Sequence, residues 1–152
     1  MRTDPVNGSV TAETGASPEA IWALLTDVTR MGEWSPECHH CEWLGGPGPA
    51  IGARFRGHNR WGPLRWSTVS QVVGLDPGRE FAFLARHWTG ATTRWTYRLE
   101  ANGSGTRITE TYETVDTPRW ILGLERLMKR PDRLTIGMRT TLERIARAAE
   151  KT

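Results

Sequence analysis

Lysine is nearly missing from this chain. Of its 20 basic residues only Lys129 and Lys151 are lysines, and the rest are arginine. The arginines are dispersed, apart from a group at Arg126, Lys129, Arg130 and Arg133. The net charge of +3 therefore reads as a compositional bias toward arginine rather than a basic surface for nucleic acid, and nucleic acid is not expected as a partner. No apolar run approaches the roughly 18 residues of a membrane-spanning helix. The opening Met1-Arg2-Thr3-Asp4-Pro5 lacks an apolar signal region, so a cytoplasmic location is expected. Two cysteines, Cys38 and Cys41, are too few for a disulfide framework. There is no Ser/His/Asp order of a hydrolase, no glycine loop fit to cradle phosphate and no paired-His helix motif. Gly45-Gly46-Pro47-Gly48 is too interrupted by proline to present successive N–H groups, and reads as a turn.

Phenylalanine and tyrosine are also scarce, at three and two, against eight tryptophans. Tryptophan is costly to bury unless its N–H finds a partner. Eight in 152 residues fit either a core filled by indoles or a pocket partly walled by them. The length suits one domain over residues 1–152 with one core.

The segment from Thr26 to Pro36 holds the strongest local signal. A short amphipathic helix precedes it: Ser17 as N-cap, Pro18 at the first helical position, and Ile21, Leu24, Leu25 and Val28 along one face. A second short helical turn then stops at Trp34-Ser35-Pro36, because a proline holds the residue before it in an extended conformation. Strand-like runs follow. His39, Cys41 and Trp43 alternate, as do Ala53, Phe55 and Gly57, the latter run ending in an expected loop over residues 59–63. Leu64 to Leu75 is a long strand closed by Asp76-Pro77-Gly78. Phe81, Phe83, Ala85 and His87 share one face of a strand, Trp95, Tyr97 and Leu99 one face of the next, and Ile108, Glu110 and Tyr112 one face of the last. With the alternating Val10, Ala12 and Thr14 at the start, this is an antiparallel meander. Thr117-Pro118 opens a helical region with an apolar stripe at Ile121, Leu124, Leu127 and Met128. Leu134, Met138, Leu142, Ile145 and Ala149 then recur at helical spacing over a long helix. A curved sheet of about seven strands cannot close its own core, and the long helix is the natural cover for its concave face. The class is α+β, with a wedge between sheet and helix as the place for a ligand.

The order of elements, together with Ser17-Pro18-Glu19-Ala20-Ile21-Trp22, Asp27 through Pro36, Gly52-Ala53-Arg54-Phe55, Asp76-Pro77-Gly78-Arg79, Trp95 to Glu100 and Gly105 to Glu110, resembles the SRPBCC superfamily of START-like, helix-grip proteins, in its bacterial polyketide cyclase/dehydrase-like branch. The resemblance runs from about Asn7 to Glu150. It implies a helix-grip fold and a cavity for a hydrophobic molecule such as a lipid, polyketide or aromatic metabolite. It carries no catalytic residue onto this chain.

Several side chains are candidates for the site. Trp34, Trp43, Trp66 and Trp95 are expected in the wall with Phe55 and Phe83, and Met138 and Leu142 in the covering helix. Met adapts its shape to a ligand. His87 falls on the face of Phe81 and Phe83, where it either serves as an acid or base or hydrogen-bonds at a strand end. Glu110 falls on the inward face, where a carboxylate needs an Arg or Tyr partner or a raised pKa. Tyr97 and Tyr112 would add hydroxyls there. His87, Glu110 and Tyr112 are the catalytic candidates. Cys38-His39-His40-Cys41 invites a metal reading, but strand alternation sends Cys38 and Cys41 to opposite faces and no second ligand pair exists, so no metal is expected.

Three functions follow from these readings: a module that binds a hydrophobic small molecule for transport, sequestration or sensing; a cofactor-free polyketide cyclase, aromatase or dehydratase; and a regulatory, toxin–antitoxin-type interaction protein presenting an apolar patch around Ile121 to Met128. A monomer or homodimer suits each of them.

Overall fold

The computed structural model describes residues 7–46, 48–87, 89–116, 118, 120 and 130–151, with backbone only at 130–133. Strand β1 (Asn7–Thr14) leads into helix α1 (Pro18–Leu25), a one-turn 3-10 helix (Val28–Arg30) and helix α2 (Met31–Trp34). Six strands follow: β2 (Cys38–Leu44), β3 (Arg54–Trp61), β4 (Leu64–Asp76), β5 (Glu80–His87), β6 (Thr92–Asn102) and β7 (Gly105–Asp116). Helix α3 (Arg130–Glu150) ends the chain. The seven strands form one antiparallel sheet in the order β1-β7-β6-β5-β4-β3-β2, and α3 packs against β1, β7, α1 and α2. This is the helix-grip arrangement. The short helices carry the chain from one sheet edge, β1, to the other, β2. Among the described residues no helix is long and apolar enough to cross a membrane.

Local chemistry sets the boundaries. Ser17 Oγ accepts from Ala20 N at 3.2 Å, capping α1, and Ile21, Leu24 and Leu25 turn inward at helical spacing. Ser35, held extended by Pro36, ends α2 at φ −78 and ψ 131. Its hydroxyl then accepts from Cys38 N at 3.0 Å, tying the corner to the start of β2. The corner is packed from both sides. Pro36 lies against Gly137 of α3, and Arg144 of α3 donates to the Trp34 carbonyl at 3.3 Å.

Two local readings need correction. The loop expected over 59–63 is strand as far as Trp61, followed by the tight turn Gly62-Pro63, with Gly62 at φ +57. Alternation also fails in β2. A bulge between Cys38 and His40 shifts the register by one residue, so Cys38 and Cys41 are both buried while His39 and His40 are exposed. The stripe from Ile121 to Met128 lies outside the described residues.

Ile21, Leu25, Val28, Ile108, Leu142 and Ile145 are buried in one core cluster that also takes in Phe55, Phe81 and Phe83. Across β3, β4 and β5, small side chains at Gly57, Ser70 and Ala85 open the packing.

Candidate functional site

Strand register explains the opening. Facing residues on adjacent strands share a face of the sheet, so Phe55, Ser70 and Ala85 form one row across β3, β4 and β5, and Gly57, Thr68 and His87 form the next. Interiors close-pack when large side chains interdigitate; here glycine, serine, alanine and threonine stand where a filled core needs bulk. The result is a cavity of about 480 Å³ between the concave face and α3. Trp66, Phe83 and Trp95 supply aromatic wall, and Leu134 and Met138 of α3 cover it. Trp61 and Leu64, flanking the β3–β4 turn, and Ile136 of α3 also border the cavity. They are 40, 47 and 67% exposed and form an apolar rim.

Among the described residues the lining holds no Arg or Lys. Its ionisable groups are Glu37, Cys38, Cys41, His87, Tyr97 and Glu110. Glu110 on β7 stands directly opposite Tyr97 on β6. The Tyr97 hydroxyl donates to Glu110 Oε1 at 2.6 Å, and Glu110 Oε2 is buried without a hydrogen-bond partner among the described residues. Burial pushes the Glu110 carboxyl up to about 8, partly offset by the Tyr97 hydrogen bond. Burial, and then the neighbouring Glu110 charge, raises Tyr97 well above the usual phenol range. At neutral pH Glu110 is therefore mainly the neutral acid. Oε1 accepts from Tyr97, and the proton on Oε2 is a hydrogen-bond donor next to an apolar space.

Of the residues singled out from the sequence, Phe55, Trp66, Phe83, His87, Trp95, Tyr97, Glu110 and Met138 line this cavity. Trp34, Trp43, Tyr112 and Leu142 do not, and each has a packing reason. Trp34 is buried beneath the Arg30 guanidinium, 5.0 Å from its ring centroid. Trp43 stands edge-on to Phe55 at 5.5 Å, behind the lining. Tyr112 packs against Trp95 at 5.6 Å, its ring filling the space that Gly8 leaves open. Leu142 is wholly buried in the core. Each is taken up by packing beside the cavity and not in its wall. The reading missed Cys38, Cys41, Trp61, Leu64 and Ile136 as lining. The period of two through Phe55, Gly57, Asn59 and Trp61 was the available signal for Trp61.

A profile of the family described as "Polyketide cyclase / dehydrase and lipid transport" matches residues 5–150. No curated protein matches the chain. Among solved structures, the polyketide-cyclase-like protein Cgl2372 from Corynebacterium glutamicum is 30% identical, with 98% of this chain and 94% of that one covered and a TM-score of 0.64. The Zhui aromatase/cyclase from Streptomyces sp. R1128 shares the fold at 18% identity, with 95 and 93% coverage and a TM-score of 0.72. The di-domain ARO/CYC StfQ from the steffimycin biosynthetic pathway shares it at 13% identity and a TM-score of 0.79, over 97% of this chain and 51% of that one.

Proposed function

The chain belongs to the polyketide cyclase/dehydrase and lipid transport family, and on that premise we propose that it binds a hydrophobic, oxygen-bearing small molecule between the sheet and α3. The observation that carries this reading is the buried Glu110 acid, with one oxygen held by Tyr97 and the other without a partner among the described residues, at the wall of an apolar cavity. An unsatisfied buried polar atom costs about 1–3 kcal/mol. A ligand carbonyl or enol oxygen accepting from Oε2 recovers that cost, whereas a hydrocarbon does not. Polyketides and aromatic ketones combine apolar bulk with such oxygens. The occupant is carried, sequestered or sensed by a single cytoplasmic domain.

A polyketide cyclase or dehydratase is the second reading, favoured by the presence of His87 and Glu110 on the same cavity wall. Glu110 would donate its proton to a carbonyl or departing hydroxyl, and His87 would take one from carbon. The interaction-protein reading rests on a stripe outside the described residues.

Binding is tested by displacement of an apolar fluorescent probe, anilinonaphthalene sulfonate, with Trp66 and Trp95 as internal reporters. Fused-ring aromatic ketones are expected to displace it about tenfold more effectively than hydrocarbons of equal size, a difference of about 1.4 kcal/mol. Equal displacement by both would overturn the role given to Glu110. Ala85→Leu places a branched side chain in the middle of the wall. It is expected to weaken probe binding by about tenfold or more without unfolding the protein; unchanged affinity would move the binding site elsewhere. Loss of turnover in Glu110→Gln, with ligand affinity kept, would select the enzyme over the carrier.

A further inference from the structure

The cavity wall contains a pair of thiols that ligand binding does not use. Cys38 and Cys41 are free, and the β2 bulge turns both inward, with their Sγ atoms 3.2 Å apart. Both line the cavity. Gly57 faces Cys41 from β3. Its φ lies in the ordinary range, so the backbone does not require glycine there. Space is what it supplies: a Cβ at this position would sit 3.4 Å from Cys41 Sγ and 3.5 Å from Cys38 Sγ. The two sulfurs thus meet the cavity through a gap left by a missing side chain.

We propose that Cys38 and Cys41 form a hydroperoxide-reactive dithiol that closes to an intramolecular disulfide on the cavity wall. The two sulfurs play different parts. The thiols share one hydrogen bond, and Cys38 Sγ also lies 3.6 Å from the His40 carbonyl oxygen. With Cys41 as the donor in the shared bond, the Cys38 thiolate is favoured against the opposing effect of burial, and backbone groups of His40 and His58 favour it further. The same hydrogen bond, then burial, holds Cys41 protonated. Cys38 is therefore the attacking sulfur. Its thiolate attacks the terminal oxygen of the hydroperoxide and the O–O bond breaks. The departing alkoxide or hydroxide takes up the proton that Cys38 released, leaving Cys38 as the sulfenic acid. Cys41 Sγ then attacks the Cys38 sulfur. The S–O bond breaks, and the hydroxide leaves as water with the Cys41 proton. One hydroperoxide is reduced by two electrons, and each thiol is oxidised by one. This chemistry does not depend on which molecule the cavity carries. Hydrogen peroxide, close to water in size, fits the space, and an apolar organic hydroperoxide suits its walls.

The test is exposure of the reduced, full-length protein to hydrogen peroxide and, separately, to cumene hydroperoxide, read by intact mass and by alkylation of denatured samples. The expected product is a monomer lighter by two hydrogens, with neither cysteine alkylated and both recovered by dithiothreitol. Cys41→Ser is expected to stop at a Cys38 sulfenic acid that dimedone traps. Cys38→Ser is expected to react at least about tenfold more slowly. Gly57→Ala, which covers both sulfurs with a methyl group, is expected to slow closure by a similar factor while the protein stays folded by circular dichroism. If the wild-type protein keeps both thiols alkylatable under conditions that oxidise free cysteine, or forms only intermolecular disulfides, the proposal fails. That measurement needs no variant to fold. Unchanged kinetics in Gly57→Ala would overturn access through the cavity.

Discussion

Glu110→Gln is expected to stabilise the empty protein, and to do so increasingly as pH rises. Glu110 binds its proton more tightly folded, at about 8, than at its ordinary 4.5. Between those two values the folded state holds more protons than the unfolded chain, so wild-type stability falls as pH increases and levels off above the folded pKa. At about 1.4 kcal/mol per pKa unit the full loss is on the order of 5 kcal/mol. Glutamine has no charge to bury. Its carbonyl still accepts from Tyr97, and its amide still donates into the cavity. The variant should melt close to the wild type near pH 5 and, at roughly 2–4 °C per kcal/mol, on the order of 10 °C higher near pH 9. Thermal melts across that range check the slope, and parallel curves would show that Glu110 is not a buried neutral acid. Binding should split in the same way. Affinity of the wild type for an aromatic ketone should fall as pH passes about 8, because the ionised carboxylate no longer donates, while the glutamine variant stays flat.

Gly32→Ala is expected to cost stability and to loosen the cavity together. Gly32 lies in α2, where φ is ordinary, so its lack of a side chain serves packing. A Cβ there would be driven into the carbonyl oxygen of His39 on β2, and a backbone oxygen cannot turn aside as a flexible side chain can. Overpacking of this kind costs about 1–3 kcal/mol or more, against which alanine recovers about 1 kcal/mol of helix propensity. A net loss near 2 kcal/mol lowers the melting temperature by roughly 4–8 °C. Gly15→Ala, where nothing lies within 4 Å of the added atom, should melt within a degree or two of the wild type. Because Met31, Ser35 and Cys38 line the cavity from this same corner, probe affinity should drop in Gly32→Ala and hold in Gly15→Ala. Equal melting of the two variants would show that α2 has room to move away from β2.

Much of this architecture was legible in the residues because it rests on local rules. Ser17-Pro18 starts α1, and Trp34-Ser35-Pro36 ends α2, through chemistry confined to a few neighbouring residues. The period of two placed Phe83 and His87 on one face, and Tyr97 and Glu110 on the inner faces of adjoining strands. The β2 bulge was not legible. Nothing in Cys38-His39-His40-Cys41 announces one extra residue, and a single shift reverses every side chain before it. The dithiol therefore exists only through pairing with β3.

The amino-acid order alone determined the number and order of the strands, the cap of α1, the α+β class and the inward phase of Glu110, since each follows from propensity or periodicity within a short window. Tertiary structure decided which inward residues meet empty space. Trp43 and Phe55 face the same way across one register pair, yet only Phe55 reaches the cavity. That division depends on the curvature of the sheet and on where α3 crosses it, and both are sums over contacts between segments far apart in the chain. The chemistry of Glu110 belongs to the same level. A glutamate becomes a neutral acid only where burial strips away its water and no cation replaces it; among the described residues strand pairing with α3 overhead assembles that burial, and the Tyr97 hydrogen bond only partly opposes it.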